Sequence, residues 1–138
     1  MDHKLKLMVV DDSPLFRTWL IHSLSADDRF QVVGYAVNAL DAQEKIPLLQ
    51  PDMLTLDIEM PGMSGIDFLK QLLPVHPIPV ILVSSLNLRV FDALEAGAVD
   101  FVRKPDEANG LSKEIFLSML RSKLMVALPD PKFPILLS

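Results

Sequence analysis

The sequence predicts an α/β protein in which a five-stranded parallel sheet is wound on both faces by helices. Three observations predict it. Short apolar runs alternate with amphipathic stretches along the chain, the pattern of βα units. Nearly every run is apolar throughout, as strands buried on both faces are. Several runs also stop at a polar residue, and the C-terminal edge of such a sheet is where ligands and chemistry collect.

The first strand is Lys6-Leu7-Met8-Val9-Val10, ending in Asp11-Asp12-Ser13-Pro14. Ser13 is suited to cap the helix that follows and Pro14 to occupy its first position. Phe16, Trp19, Leu20 and Leu24 then recur at helical spacing, so Trp19 is read as core. Phe30 to Ala36 forms the second strand, and Asn38 caps a helix through Ala42 and Ile46. Pro47 predicts a kink or an early end, since a proline inside a helix removes a backbone donor and costs about 3 kcal/mol.

Leu54-Thr55-Leu56-Asp57 is the third strand, delivering a carboxylate before the turn at Met60-Pro61-Gly62. Ser64 caps a helix whose Ile66, Leu69 and Leu73 share a face, with Pro74 as its stop. Val80 to Val83 is a fourth strand ending in Ser84-Ser85. A brief helix from Leu88 to Ala96 closes at Gly97, which suits the left-handed position after a helix end. Val99 to Val102 is the fifth strand and runs into Arg103-Lys104-Pro105. The last helix spans Ser112 to Leu128, with Ile115, Phe116, Met119, Leu120 and Leu124 predicted to face inward, and Lys113, Arg121 and Lys123 read as a solvated face.

These units assemble into a doubly wound sheet of flavodoxin-like order 2-1-3-4-5. One domain covers residues 1–128, and 129–138 form a proline-rich tail or the start of an interdomain linker. The apolar ending Phe133-Pro134-Ile135-Leu136-Leu137 is expected to dock on this domain or a neighbour.

Composition narrows the function. With 138 residues the chain suits one domain with a sizeable core. It has no cysteine, which excludes disulfides and thiolate chemistry, and its three histidines are scattered. A net charge of −5 argues against a nucleic-acid footprint. No apolar run approaches the roughly 18 residues of a membrane span, and the first residues lack a signal peptide's apolar region, which predicts a soluble cytoplasmic protein with no membrane partner.

The strand ends carry the chemistry. In order 2-1-3-4-5 the first and third strands are neighbours, so Asp11, Asp12 and Asp57 share a pocket, joined by Ser84 and Lys104 from the fourth and fifth strands. Three carboxylates with one lysine leave a formal −2, which one divalent cation neutralises. An all-oxygen site with few protein ligands suits Mg2+, with the backbone carbonyl of Glu59 as a further ligand. Asp57 then has the means to attack phosphorus as a carboxylate nucleophile while the metal and Lys104 stabilise the transferring oxygens. Ser84 is placed to donate to the new phosphoryl group. Taken singly, each also has an ordinary reading: a loop decoration for Asp11-Asp12, a turn hydroxyl for Ser84, a solvated cation for Lys104.

Through Asp11-Asp12, Asp57, Met60-Pro61-Gly62, Ser84 and Lys104-Pro105, the stretch from Lys6 to Leu128 resembles the receiver domain of two-component response regulators. The resemblance implies Mg2+-dependent transfer of a phosphoryl group to Asp57 from a histidine kinase or phosphotransfer domain. It also implies Asp11 and Asp12 at the metal, a cis peptide before Pro105, a downstream output domain or partner protein, and in some members a homodimer. It assigns a switch to Ser84 and Phe101; Phe101 has no hydroxyl, so it is read either as a packing switch or as a plain core aromatic. Within the family, Val83-Ser84-Ser85-Leu86 and Ala93 to Val102 are similar to the receiver of chemotaxis-type protein-glutamate methylesterases, although Asn87 to Asp92 is about one helical turn shorter than is usual there. No esterase site is expected on this chain: Gly62-Met63-Ser64-Gly65 lacks the G-x-S-x-G spacing.

Two other readings stand beside this one. An aspartyl phosphatase of the haloacid-dehalogenase type also uses a carboxylate nucleophile, but resembles a D-x-D arrangement after the first strand, whereas Asp57-Ile58-Glu59 follows the third. A flavodoxin-like FMN-binding module is opposed by Asp11-Asp12, which would repel its phosphate.

Overall fold

The computed structural model describes residues 4–85, 89–106, 108 and 110–127. The described elements alternate strictly: β1 (Leu5–Val10), α1 (Pro14–Ser25), β2 (Phe30–Ala36), α2 (Ala39–Leu49), β3 (Met53–Leu56), α3 (Gly65–Leu72), β4 (Val80–Ser84), α4 (Val90–Glu95), β5 (Asp100–Arg103) and α5 (Lys113–Ala127). The five strands are parallel and lie in the order β2-β1-β3-β4-β5, as predicted. The reversal of strand order falls between β1 and β3, where Val10 pairs with Leu56, so the residues that follow both strands emerge side by side.

Alternation along the strands divides the core in two. Met8, Val10, Leu54, Leu56, Val80 and Leu82 pack under α2, α3 and α4, while Leu7, Val9, Met53, Ile81 and Val83 pack under α1 and α5. Trp19 joins the second cluster, as read from its spacing.

Local rules hold at several helix ends. Asn38 accepts from the Asp41 N–H at 2.8 Å, Ser64 from the Asp67 N–H at 3.2 Å and Ser112 from the Ile115 N–H at 3.1 Å. Gly97 takes φ +113°, the left-handed position foreseen for it.

Other details depart from expectation. Ser13 makes no side-chain cap; its N–H instead donates to Asp11 Oδ1 at 2.8 Å, which draws the turn towards the strand end. The helix bearing Pro47 runs on to Leu49 and ends at Gln50 in a left-handed conformation. Pro47 lies in the last turn, where only one intrahelical bond is forfeited and the Gln50 N–H still reaches the Ile46 carbonyl at 2.8 Å. In α3 the buried face is Ile66, Phe68, Leu69 and Leu72, while Leu73 is the half-buried C-cap.

In α5, Phe116, Leu120 and Leu124 are buried but Ile115 and Met119 are 50% and 42% exposed, because the sheet and α1 cover a narrower stripe than helical spacing allows. The basic residues of that helix are not a free solvated face. Lys123 Nζ bonds Asp100 Oδ1 at 3.0 Å and the Phe101 carbonyl at 2.8 Å, Arg121 reaches Asp27 and the Ser23 carbonyl, and Lys113 lies over the Trp19 ring. The expected start of α4 at Leu88 and the docking tail after Ala127 lie outside the described residues. Among the described residues no helix is long and apolar enough to cross a membrane.

Candidate functional site

Asp57 directly follows β3, and its position is set by backbone bonds. Its N–H donates to the Val10 carbonyl at 3.0 Å, and the Asp11 N–H donates to the Ala36 carbonyl at 3.1 Å, so both carboxylates leave the sheet from hydrogen-bonded strand ends. Gly65, at the start of α3, lies against the same corner: its N–H bonds the Ile58 carbonyl at 2.8 Å, and a Cβ there would stand 2.9 Å from Ile58 Cα and overlap the Asp57 carbonyl oxygen. The close approach, and not an unusual dihedral, is what requires glycine.

Carboxylate oxygens of Asp11, Asp12 and Asp57 all lie within 4.8 Å of one another, with Asp11 and Asp57 buried and Asp12 exposed. Lys104, just past β5, places Nζ 2.9 Å from Asp11 Oδ2 and 3.5 Å from Asp57 Oδ2. The Lys104 N–H donates to the Ser84 carbonyl at 3.0 Å, and Ser84 is fully buried at the end of β4. Burial pushes the Asp57 carboxyl from its ordinary 3.8 up to about 6, with the Lys104 ammonium pulling it down, Asp11 and Asp12 pushing it up, and the Glu59 N–H drawing it down. That N–H donates to Asp57 Oδ1 at 3.3 Å.

The donor set fits a hard divalent cation. Three carboxylates converge at a water-accessible edge, and the exposed Asp12 keeps the mouth open. Asp11, Asp12 and Asp57 are the side chains that could hold it.

Sequence reasoning thus placed Asp11, Asp12, Asp57, Ser84 and Lys104 at one edge, and the structure brings them together there. Phe101 is half-buried against the core under α2, α3 and α4, consistent with either reading given to it. One expectation is overturned: no peptide bond among the described residues is cis, so the Lys104–Pro105 bond is trans. The trans form is the lower in energy for a prolyl bond, and with it Lys104 already reaches both carboxylates.

Two neighbours carried no signal in the sequence. Arg17 Nη1 donates to the Asp11 carbonyl at 2.8 Å while its guanidinium stacks 4.9 Å from the Tyr35 ring centre. Phe16, read as core, lies with its ring centre 4.5 Å from Lys104 Nζ. Their positions in the first turn of α1 were the only available hint.

A family model for the response regulator receiver domain matches residues 7–116. The protein-glutamate methylesterase/protein-glutamine glutaminase 2 of Syntrophomonas wolfei is 47% identical over 124 residues, covering 90% of this chain and 36% of that protein. The protein of the same description from Vibrio vulnificus is 44% identical, covering 92% and 38%. The chain therefore spans little more than a third of the length of these relatives. Among solved structures, the response regulator domain of Thermotoga maritima CheB is 37% identical with a TM-score of 0.81, over 94% of this chain and all of that one.

Proposed function

Because the chain belongs to the response regulator receiver domain family, we propose that it is a phosphoacceptor signalling domain that takes a phosphoryl group from a histidine kinase or phosphotransfer domain onto Asp57. The observation that carries this reading is the Lys104 ammonium held between Asp11 and Asp57, with Asp12 at the open side. An ammonium beside three converging carboxylates is suited to transferring an anion that a carboxylate alone would repel.

Asp57 attacks phosphorus with a carboxylate oxygen. The phosphorus–nitrogen bond of the donor phosphohistidine breaks, its electron pair returns to the imidazole, and an acyl phosphate forms on Asp57. Lys104 shifts its donors from the carboxylate to the phosphoryl oxygens. Asp11, Asp12 and Asp57, with the Glu59 backbone carbonyl, would hold Mg2+, which when bound would neutralise the carboxylates and draw charge from the transferring oxygens.

The added charge is read by Ser84, whose strand end is tied to the Lys104 backbone, and by Phe101, which changes its packing. Full conversion of a 1:99 equilibrium to 99:1 would demand about 5.5 kcal/mol, so partial switching is the outcome assigned. The output proposed is a methylesterase-type domain outside this chain, a reading supported by the description of the relatives, and the protein works in the cytoplasm beside its kinase, with a homodimer as a further assembly. A haloacid-dehalogenase-type phosphatase is less well supported, since Asp57 follows β3 rather than β1; FMN binding is opposed by the same three carboxylates.

Beryllofluoride with Mg2+ tests the reading. Amide shifts around Ser84 and Phe101 are expected in the wild-type chain and lost in Asp57→Ala; indifference of the wild-type chain to both ligands would sink it.

A further inference from the structure

Lys104 has a third neighbour besides its two carboxylates. The Phe16 ring centre lies 4.5 Å from Nζ, beside oxygens at 2.9 and 3.5 Å. The face of a benzene ring is negative, so it attracts an ammonium without accepting a proton or competing as a charge. Phe16 is itself held in place: its ring centre is 5.7 Å from Trp19 and 5.8 Å from Phe116, and Trp19 stands 5.9 Å from Phe116. Phe116 is fully buried on α5. The ring that meets Lys104 is thus the outer member of a packed aromatic trio and has little freedom to swing away.

We propose that Phe16 is a positioning residue for phosphoryl transfer, a rigid aromatic wall that keeps the Lys104 ammonium aimed at Asp57. This rests on the phosphoacceptor reading above. A lysine carries three N–H donors on a flexible stem and is strongly hydrated, so without a wall it would exchange its carboxylates for water. With the ring in contact, the ammonium gives up its carboxylates for an arriving phosphoryl oxygen by a small displacement and stays against the ring. Donors already in place cost no reorganisation during the transfer.

Phosphorylation of Asp57 by acetyl phosphate at saturating Mg2+ is the assay, alongside the Lys104 Hε resonances, which a ring face shifts upfield. Phe16→Leu is expected to slow phosphorylation about 3- to 30-fold, the range of a partly desolvated cation–π contact, and to return the Hε resonances to ordinary positions. Phe16→Tyr restores both. Trp19→Leu loosens the support of the ring without removing the ring, so a smaller slowing and a smaller change in the Hε resonances are expected. Slowing in Phe16→Leu with the Hε resonances unmoved, or a wild-type rate in Phe16→Leu, overturns the assignment while leaving the phosphoacceptor reading intact. A wild-type chain that accepts no phosphoryl group overturns both.

Discussion

Lys104 stands closer to Asp11, at 2.9 Å, than to Asp57, at 3.5 Å. Its ammonium therefore occupies one of the carboxylates that a divalent cation would claim, and lysine and metal compete for Asp11. Lys104→Ala is expected to bind Mg2+ several-fold more tightly while accepting phosphoryl groups about 10- to 100-fold more slowly, the cost of deleting one preorganised charge donor. Fluorescence or calorimetric titration set against the acetyl phosphate rate separates the two effects; parallel loss of both would contradict the competition.

The Asp57 carboxyl, pushed up to about 6 chiefly by burial, makes stability depend on pH. Between its ordinary 3.8 and about 6 the folded chain binds the proton more tightly than the unfolded chain, so this contribution is fully present below the lower value. It is lost as pH rises through the upper one. Urea midpoints in metal-free buffer should fall across that window in the wild-type chain and stay flatter in Asp57→Asn, which at pH 7 gains on the order of 1–3 kcal/mol by avoiding the desolvation of a buried carboxylate.

Divalent cation should restore what ionisation removes. At a hundred times its dissociation constant, Mg2+ is expected to add about 2.7 kcal/mol to folding. Asp12 is exposed, so Asp12→Asn should leave the metal-free midpoint nearly unchanged and abolish most of that gain. Thermal melts with and without Mg2+ measure both quantities.

Gly65 tests how tightly the phosphoacceptor corner is built. A methyl group there meets the backbone of Asp57 and Ile58, which cannot rotate aside as a side chain would. Gly65→Ala should cost about 1–3 kcal/mol by overpacking and slow phosphorylation of the molecules that remain folded. A destabilised variant with an unaltered rate would show that Asp57 is insulated from its turn.

Arg17 holds the Asp11 carbonyl and stacks on Tyr35. Arg17→Ala should cost about 1 kcal/mol in stability and weaken Mg2+ binding a few-fold by loosening the Asp11 turn. Arg17→Lys, which keeps the charge but not the planar stack, should recover only part of either loss.

The strand order and the carboxylates at its reversal were legible without coordinates. Apolar runs such as Leu7 to Val10 and Met53 to Leu56 mark their own structure, because a strand buried on both faces tolerates almost no polar residue. The residue after such a run must emerge at the sheet edge, which placed Asp11, Asp57 and, by the same logic, Lys104 in one pocket. The caps at Asn38 and Ser64 were likewise local decisions, each reaching only three residues along the chain.

What the sequence by itself determined, then, was whatever depends on neighbours along the chain: the elements, their order, and the acidic edge with its lysine. The tertiary structure alone decided which long side chains meet. Arg121 finds its carbonyl partner at Ser23, Lys123 ties α5 to Asp100 and Phe101, and Phe16 comes to lie against Lys104. It also decided that Ile115 and Met119 face outward, since helical spacing defines a stripe but only the packed sheet defines its width. Flexible cations and helix rotations answer to through-space geometry, and that geometry exists only once the two faces of the sheet are covered.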